Sequence, residues 1–427
     1  MIKLHYGSPD FEKQLSLLYN RPAYPPQVEE AAKQIIADVR AGGDRAVAAY
    51  AEKFDHVKLD PADFKISDAE IRAAVKKCSA ANKKAIRQAL EHITDFALAT
   101  KPLNWMYSPR PGVKLGEKYT PLDRVGVYIP GGTAPLVSTV LHTAGIAKAA
   151  GVKEIVAVTP PGNIPPETVY AMKCAGVKEI YRLGGVYAIA ALATGTETIR
   201  KVDKIVGPGN AYVTAAKKLL YGEVAIDLVA GPSEILIVAD HRANPEFVAA
   251  DLLSQAEHGS GLEQAVLVSD SAELLQAVEA EVEKQKLALP RLETVEKVMK
   301  NGMFLIQTKD LDAACELAGS YAPEHLEIQT ADPERFAKKI SAAGAMFLGD
   351  WTPESAGDFC AGPSHVLPTA GSAKAFNGLE TVSFMRRSSI VKYSSAALQK
   401  EIPVIESFGQ MEMLAAHGNA GTVRRKK

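Results

Sequence analysis

The sequence predicts an α/β protein built on two parallel sheets. Three observations carry that expectation. Helix-like and strand-like segments alternate from about residue 125 to residue 350. The strand-like segments, such as EILIVAD (234–240) and QAVLVSD (264–270), are nearly continuous apolar runs, the pattern of strands covered on both faces. AAGVKEIVAVTPPG (149–162) and CAGVKEIYRLGG (174–185) form a weak internal repeat, each a strand following a helix.

In chain order, residues 1–25 read as an irregular arm that closes with RPAYPPQ. From 27 to about 100 the spacing is helical and polar on one face, which suits packing against a larger body. RVGVYIPGG (124–132) is a short β run ending in a Gly-rich turn, and VDKIVGPGN leads into the helix AYVTAAKKLLYG. A first α/β unit therefore closes near 235. The second runs through EILIVAD, a helix over 245–258, QAVLVSD, AELLQAVEAEVEKQ, MFLIQT, LDAACELAGSYAPEH and RFAKKISAAGAMFLGD, and its sheet is expected to recruit the early helices. IPVIESFGQMEMLAAHGNAGTVRRKK is a helix and tail too short for a core of its own, so it docks on this chain or on a second copy. The expected division is an arm (1–25), an α/β domain of 26–125 plus 236–378, a second α/β domain (126–235) and a tail (379–427).

Composition narrows the function. The 427 residues are 47% hydrophobic with a net charge of -1, so large cores can form and no basic surface for nucleic acid is expected. No apolar stretch reaches the roughly 18 residues of a membrane helix. The first twenty residues carry acidic and polar groups where a signal peptide needs an apolar block, which predicts a cytoplasmic protein. Four cysteines (Cys78, Cys174, Cys315, Cys360) with no CxxC pair are expected to be reduced and structural.

Four segments carry candidate chemistry. LLSQAEHGSG places Gln255 and His258 three apart at a helix end, on one face. YAPEHLEI places Glu324 and His325 side by side in a loop between helix and strand. ESAGDFCAGPSHVLPT places Asp358 and His365 in a Gly/Pro-rich loop, and MEMLAAHGNA places Glu412 and His417 on the terminal helix and its end. Each also fits a structural role: carbonyl capping for the Gln–His pair, a surface loop for Glu–His, a turn for Asp358, the core for His365, a helix C-cap for His417. His5, His56, His92, His142 and His241 are assigned nothing. No GxGxxG follows an early strand, so any Rossmann-like character is incomplete. The turn VGPGN before a helix offers backbone N–H groups to a phosphate or cofactor, as YIPGG does at another strand end.

YIPGGTAPLVSTV, GGVYAIAALATGTETI, KIVGPGNAYVTAAKK, IDLVAGPSEILIVAD, ADLLSQAEHG, YAPEHLEI, SAGDF, GPSHVLPT and AAHGNA occur in this order. Together they resemble the histidinol dehydrogenase family over nearly the whole chain. The resemblance implies oxidation of L-histidinol through histidinal to L-histidine with two NAD⁺ in sequence, and two Rossmann-like domains whose C-terminal tail is exchanged in a homodimer. It implies one Zn²⁺ per subunit on Gln255, His258, Asp358 and the partner subunit's His417. Glu324 would activate water and His325 would act as general base. Substrate contacts would be Ser233, Gln255, His258, His325, Asp358, His365, and the partner subunit's Glu412 and His417. NAD would meet Tyr128, Asn210 and position 187, where the family's GGAQAIAALA has Gln and this chain has Tyr187. Ser364 stands where Asn is frequent. The implied domain roles are metal and catalysis for 26–125 plus 236–378, NAD for 126–235 and dimerisation for 379–427. The alternative reading is a related zinc/NAD dehydrogenase acting on another polar alcohol, such as a sulfonated diol.

Overall fold

The computed structural model describes residues 1–21, 24–131 and 136–425; Gly132 of the expected YIPGG turn lies outside them. The strands are β1 (Ile2–His5), β2 (Trp105–Arg110), β3 (Val113–Pro121), β4 (Arg124–Tyr128), β5 (Glu154–Val158), β6 (Glu179–Tyr181), β7 (Lys204–Val206), β8 (Ala225–Ile226), β9 (Glu234–Ala239), β10 (Gln264–Ser269), β11 (Met303–Gln307), β12 (His325–Gln329), β13 (Ala345–Leu348) and β14 (Met385–Tyr393). Two sheets are wholly parallel, in the orders β1-β11-β10-β9-β12-β13 and β6-β5-β4-β7-β8. The predicted α/β class with two parallel sheets is what the chain forms.

The larger sheet shows why its strands read as unbroken apolar runs. In β9, Ile235, Ile237 and Ala239 enter one core cluster with the helices Pro245–Ala256 and Ala272–Gln285. Leu236 and Val238 enter another, with β1 and the helix Leu311–Tyr321. Alternate side chains point to opposite faces, and both faces are covered.

Two expectations need correction here. Residues 1–25 are not irregular throughout: β1 pairs with β11, setting Ile2 against Phe304, and a helix spans Phe11–Leu18. Leu4 and Leu18 are fully buried, so the arm closes an edge of the larger sheet that would otherwise present unpaired backbone. The early helices are not recruited by the larger sheet. Val28, Ala32, Ile35, Ile36 and Val39 of the helix Pro26–Asp55 pack with Val186–Ala193 of the helix Gly185–Thr194, on the smaller sheet. An amphipathic stripe specifies that a helix must dock, not on which sheet.

A separate compact unit comprises Lys101–Pro121 and Met385–Lys427. Its sheet is antiparallel, in the order β14-β3-β2. Its two helices are Ser395–Met411 and Ala415–Thr422. The expected single terminal helix is thus broken at Met413, whose φ is +56°. Glu412 caps the first helix and His417 lies inside the second, not at its end.

Candidate active site

The site sits where β9 and β12 begin. Their parallel register sets His325 beside Ile235, so Glu324 and Glu234, each one residue earlier, meet at the same end. The helix Pro245–Ala256 runs back toward that end and delivers Gln255 in its last turn. His258 follows just past the helix, with Nδ1 3.4 Å from Gln255 Nε2. These are the amino ends of the strands, whereas open α/β sheets usually hold ligands at the carboxyl ends.

His325 opens β12 instead of lying in a loop, and it is buried. Its Nδ1 donates to the Glu234 carbonyl at 3.1 Å. That bond leaves Nε2 as the exchanging nitrogen. Nε2 lies 3.6 Å from Asp358 Oδ1 and 4.0 Å from Glu354 Oε1, beyond hydrogen-bond reach. Glu324 Oε2 accepts the Glu234 N–H at 2.9 Å. Asp358 was expected in a loop but lies on the short helix Glu354–Phe359. Gly357, which suggested a turn, sits within that helix.

Charges are strongly coupled here. Burial works against a charged His325, yet Glu324, Asp358 and Glu354 together hold it up to about 10. Burial pushes Glu324 up to about 8, opposed by His325. Burial and the neighbouring Asp358 push Glu354 up to about 7. Burial alone would raise Asp358, but His325, His365 and His258 outweigh it and hold its carboxyl well below the usual range. Burial lowers His365. Gln255, His258, His325, Asp358 and His365 therefore converge, with Ser233 immediately before β9. Glu412 and His417 lie in the separate unit, where both are exposed.

Sequence reasoning missed three participants. Glu354 forms an i,i+4 acid pair with Asp358 along one helix, a spacing visible in ESAGD. Glu234 follows Ser233 but read as an ordinary strand start. His142 is fully buried with its ring centroid 4.6 Å from that of His365, while Ser364 Oγ donates to its carbonyl at 3.2 Å. It lies in a π-helical turn, Leu141–Gly145, which sequence periodicity does not reveal.

The residues expected to meet NAD cluster at the carboxyl ends of the smaller sheet. A cavity there is lined by Pro130, Gly131, Thr159, Pro160, Asn163 and Thr168, at the ends of β4 and β5. Tyr128 ends β4, and its hydroxyl accepts the Gly185 N–H at 3.2 Å. The Tyr187 hydroxyl accepts the Gly184 N–H at 3.1 Å and donates to Asp55 Oδ2 at 2.5 Å. Asn210 Oδ1 accepts from the N–H groups of Tyr212 and Val213, both at 3.1 Å. Two of the donors expected to await an anion at that helix start are thus already satisfied within the chain. Gly207 is required in the turn: its φ is +116°, and a Cβ would come within 2.3 Å of the Tyr128 carbonyl oxygen.

A parallel α/β scaffold with a buried histidine–carboxylate centre, and a separate cavity at the carboxyl ends of a second sheet, defines an enzyme of acid–base chemistry with room for a second ligand. Comparison with known proteins gives the particular family. A profile of that family, described as histidinol dehydrogenase, matches residues 20–425. The histidinol dehydrogenase of Heliobacterium mobile is 45% identical over 397 residues, covering 92% of this chain and 93% of that protein. That of Rhodopseudomonas palustris is 43% identical over 426 residues, covering 99% of each. The crystal structure of histidinol dehydrogenase from Elizabethkingia anophelis superposes with a TM-score of 0.94 at 38% identity, covering 99% of this chain and 98% of that one. The chain belongs to the histidinol dehydrogenase family and is an NAD-dependent oxidoreductase.

Proposed function

We propose that the protein oxidises L-histidinol through histidinal to L-histidine, with two NAD⁺ in succession and one Zn²⁺ per subunit, as a cytoplasmic homodimer with shared sites. The observation that carries this reading is a set of buried polar atoms without hydrogen-bond partners: Gln255 Oε1, His325 Nε2, Glu354 Oε1 and His365 Nε2. Each such atom costs about 1–3 kcal/mol if left unsatisfied, so their convergence favours a site made for a ligand. Gln255, His258, Asp358 and the partner subunit's His417 would hold the metal. Two imidazoles, a carboxylate and an amide oxygen suit a divalent borderline ion. Bound zinc would orient the imidazole and amine of the substrate, and bound NAD⁺ would accept the hydride. Tyr128, Tyr187 and Asn210, at the carboxyl ends of the smaller sheet, remain the candidates to line the NAD site, within the 126–235 segment.

The chain's own groups move the protons. His325 Nε2 takes the hydroxyl proton as the alcohol is oxidised, its ring held by the Glu234 carbonyl. Glu324 takes a proton from the water that adds to histidinal while His325 Nε2 returns its proton to the carbonyl oxygen, which completes the hydrate and frees Nε2 again. His325 Nε2 then takes the proton of the resulting hydrate in the second oxidation. His325 reaches the neutral form this requires when positive charge offsets Glu324, Asp358 and Glu354, the groups that hold it charged. Ser233, His365 and the partner subunit's Glu412 would complete the substrate contacts.

The test is metal analysis of the purified protein combined with an NADH assay on histidinol. One zinc per chain and two NADH per histidinol support the reading. No NADH from the zinc-loaded protein would refute it.

A further inference from the structure

The N-terminal arm reaches the reacting pair through one residue. Arg21 Nη1 donates to Glu234 Oε2 at 2.7 Å, and Nη2 donates to the Tyr321 carbonyl at 2.7 Å. The guanidinium lies over the Tyr321 ring, 3.7 Å from its centroid. Both charged side chains are buried, at 7% and 3% exposure. The other carboxylate oxygen of Glu234, Oε1, accepts the Ala370 N–H at 3.0 Å. Glu234 is therefore clamped by its side chain from two directions. Its backbone then does two jobs: its N–H holds the Glu324 carboxylate and its carbonyl holds His325 Nδ1.

We infer that Arg21 is a positioning residue for the Glu324–His325 pair, acting through Glu234; this rests on the reading of that pair as the proton-transfer groups. The arm is then part of the site's framework and not only an edge cover for the sheet. The guanidinium binds in a planar, forked geometry to the Glu234 carboxylate and the Tyr321 carbonyl while stacking on the ring, which a lysine ammonium cannot reproduce in full. Displacement of a reacting group by a fraction of its reach is expensive in rate, because orientation supplies much of the catalysis.

The experiment uses the zinc-loaded full chain with Arg21→Met, Arg21→Lys, and Arg21→Met combined with Glu234→Gln. Arg21→Met should lose roughly tenfold or more in kcat with far less change in KM for histidinol, and Arg21→Lys should recover part of that loss. Arg21→Met alone leaves a buried carboxylate unpaired and will also lower stability. The double variant removes that charge, so its urea midpoint should return toward the parent's while kcat stays low. Recovery of kcat together with stability would show a purely structural pair and overturn the inference, as would parental kcat in Arg21→Met. Ring-nitrogen NMR of His325 reads the same question without turnover. Loss of the Nδ1–carbonyl signature in the double variant supports positioning, and an unchanged signal refutes it. A parent that makes no NADH would instead refute the proposed reaction, leaving the NMR comparison to decide this inference by itself.

Discussion

At the scale of single residues, His325 and Glu324 have separable duties. Replacing His325 by Asn should reduce kcat by about 10²–10⁴ for both oxidations, since each passes a proton to the same Nε2. Glu324→Gln should impair oxidation of histidinal more than that of histidinol, because only the aldehyde step needs a water activated. Single-turnover assays started from each substrate measure the two, and equal losses would count against the division of labour. Tyr187 makes a different prediction. Its hydroxyl is buried between Asp55 and the Gly184 N–H, and burial together with Asp55 pushes its proton affinity far up. Tyr187→Phe strands that N–H and half-buried carboxylate, so urea unfolding should show a loss of about 1–3 kcal/mol. The KM for NAD should stay near the parent's, because the hydroxyl already serves the fold. A raised KM at unchanged stability would instead assign the hydroxyl to the cofactor.

At the scale of elements, the helix Asp68–Lys77 illustrates how local sequence fixes local structure. Ser67 Oγ accepts the Glu70 N–H at 3.3 Å, and the Glu70 carboxylate accepts the Ser67 N–H at 2.9 Å. Arg182 donates to the same carboxylate at 2.6 Å. Arg182 and then the Ser67 N–H lower Glu70 to about 2. A carboxyl depressed on folding adds stability that is present above its unfolded value, near 4.3, and is lost as pH falls through its folded value. Glu70→Ala should therefore cost about 1 kcal/mol at neutral pH by urea unfolding. The gap from the parent should close between about pH 4 and about pH 2. β9 and β10 were readable as buried apolar runs, because that signal is local. β14 was not readable: MRRSSIVKY is largely exposed and has no apolar face to betray it. Nor was the partner sheet of the early helices, since that choice is set by contacts across more than a hundred residues. Site residues were legible where an odd motif framed them, as in PEH or SAGD. Glu234 and His142 act through backbone atoms and a buried ring contact, which leave no such frame.

At the scale of the whole molecule, the Lys101–Pro121 and Met385–Lys427 unit leaves Phe408, Met411, Met413 and Val423 exposed on or beside its helices, Met413 at 91%. Large apolar side chains left exposed on so small a unit are what the proposed dimer would cover. Gly409 and Gly418 let the two helices of that unit approach closely, since a Cβ on Gly409 would meet Gly418 Cα at 2.7 Å. With Gln255, His258 and Asp358 in one unit and His417 in the other, the proposed metal shell ties metal binding to assembly. Among the described residues no helix is long and apolar enough to cross a membrane. Chelation should therefore abolish NADH formation and lower the melting temperature together, with zinc restoring both, because a metal bound only by the folded dimer stabilises it by mass action. Sharing of the site has a stricter consequence. His325→Ala and His417→Ala dimers should each be inactive. Mixed in equal amounts with subunit exchange verified by mass, half of the dimers become heterodimers, each with one intact site and one doubly defective site. About one site in four should then recover activity. If His417 instead serves its own subunit, every site carries one lesion in any mixture and no activity returns.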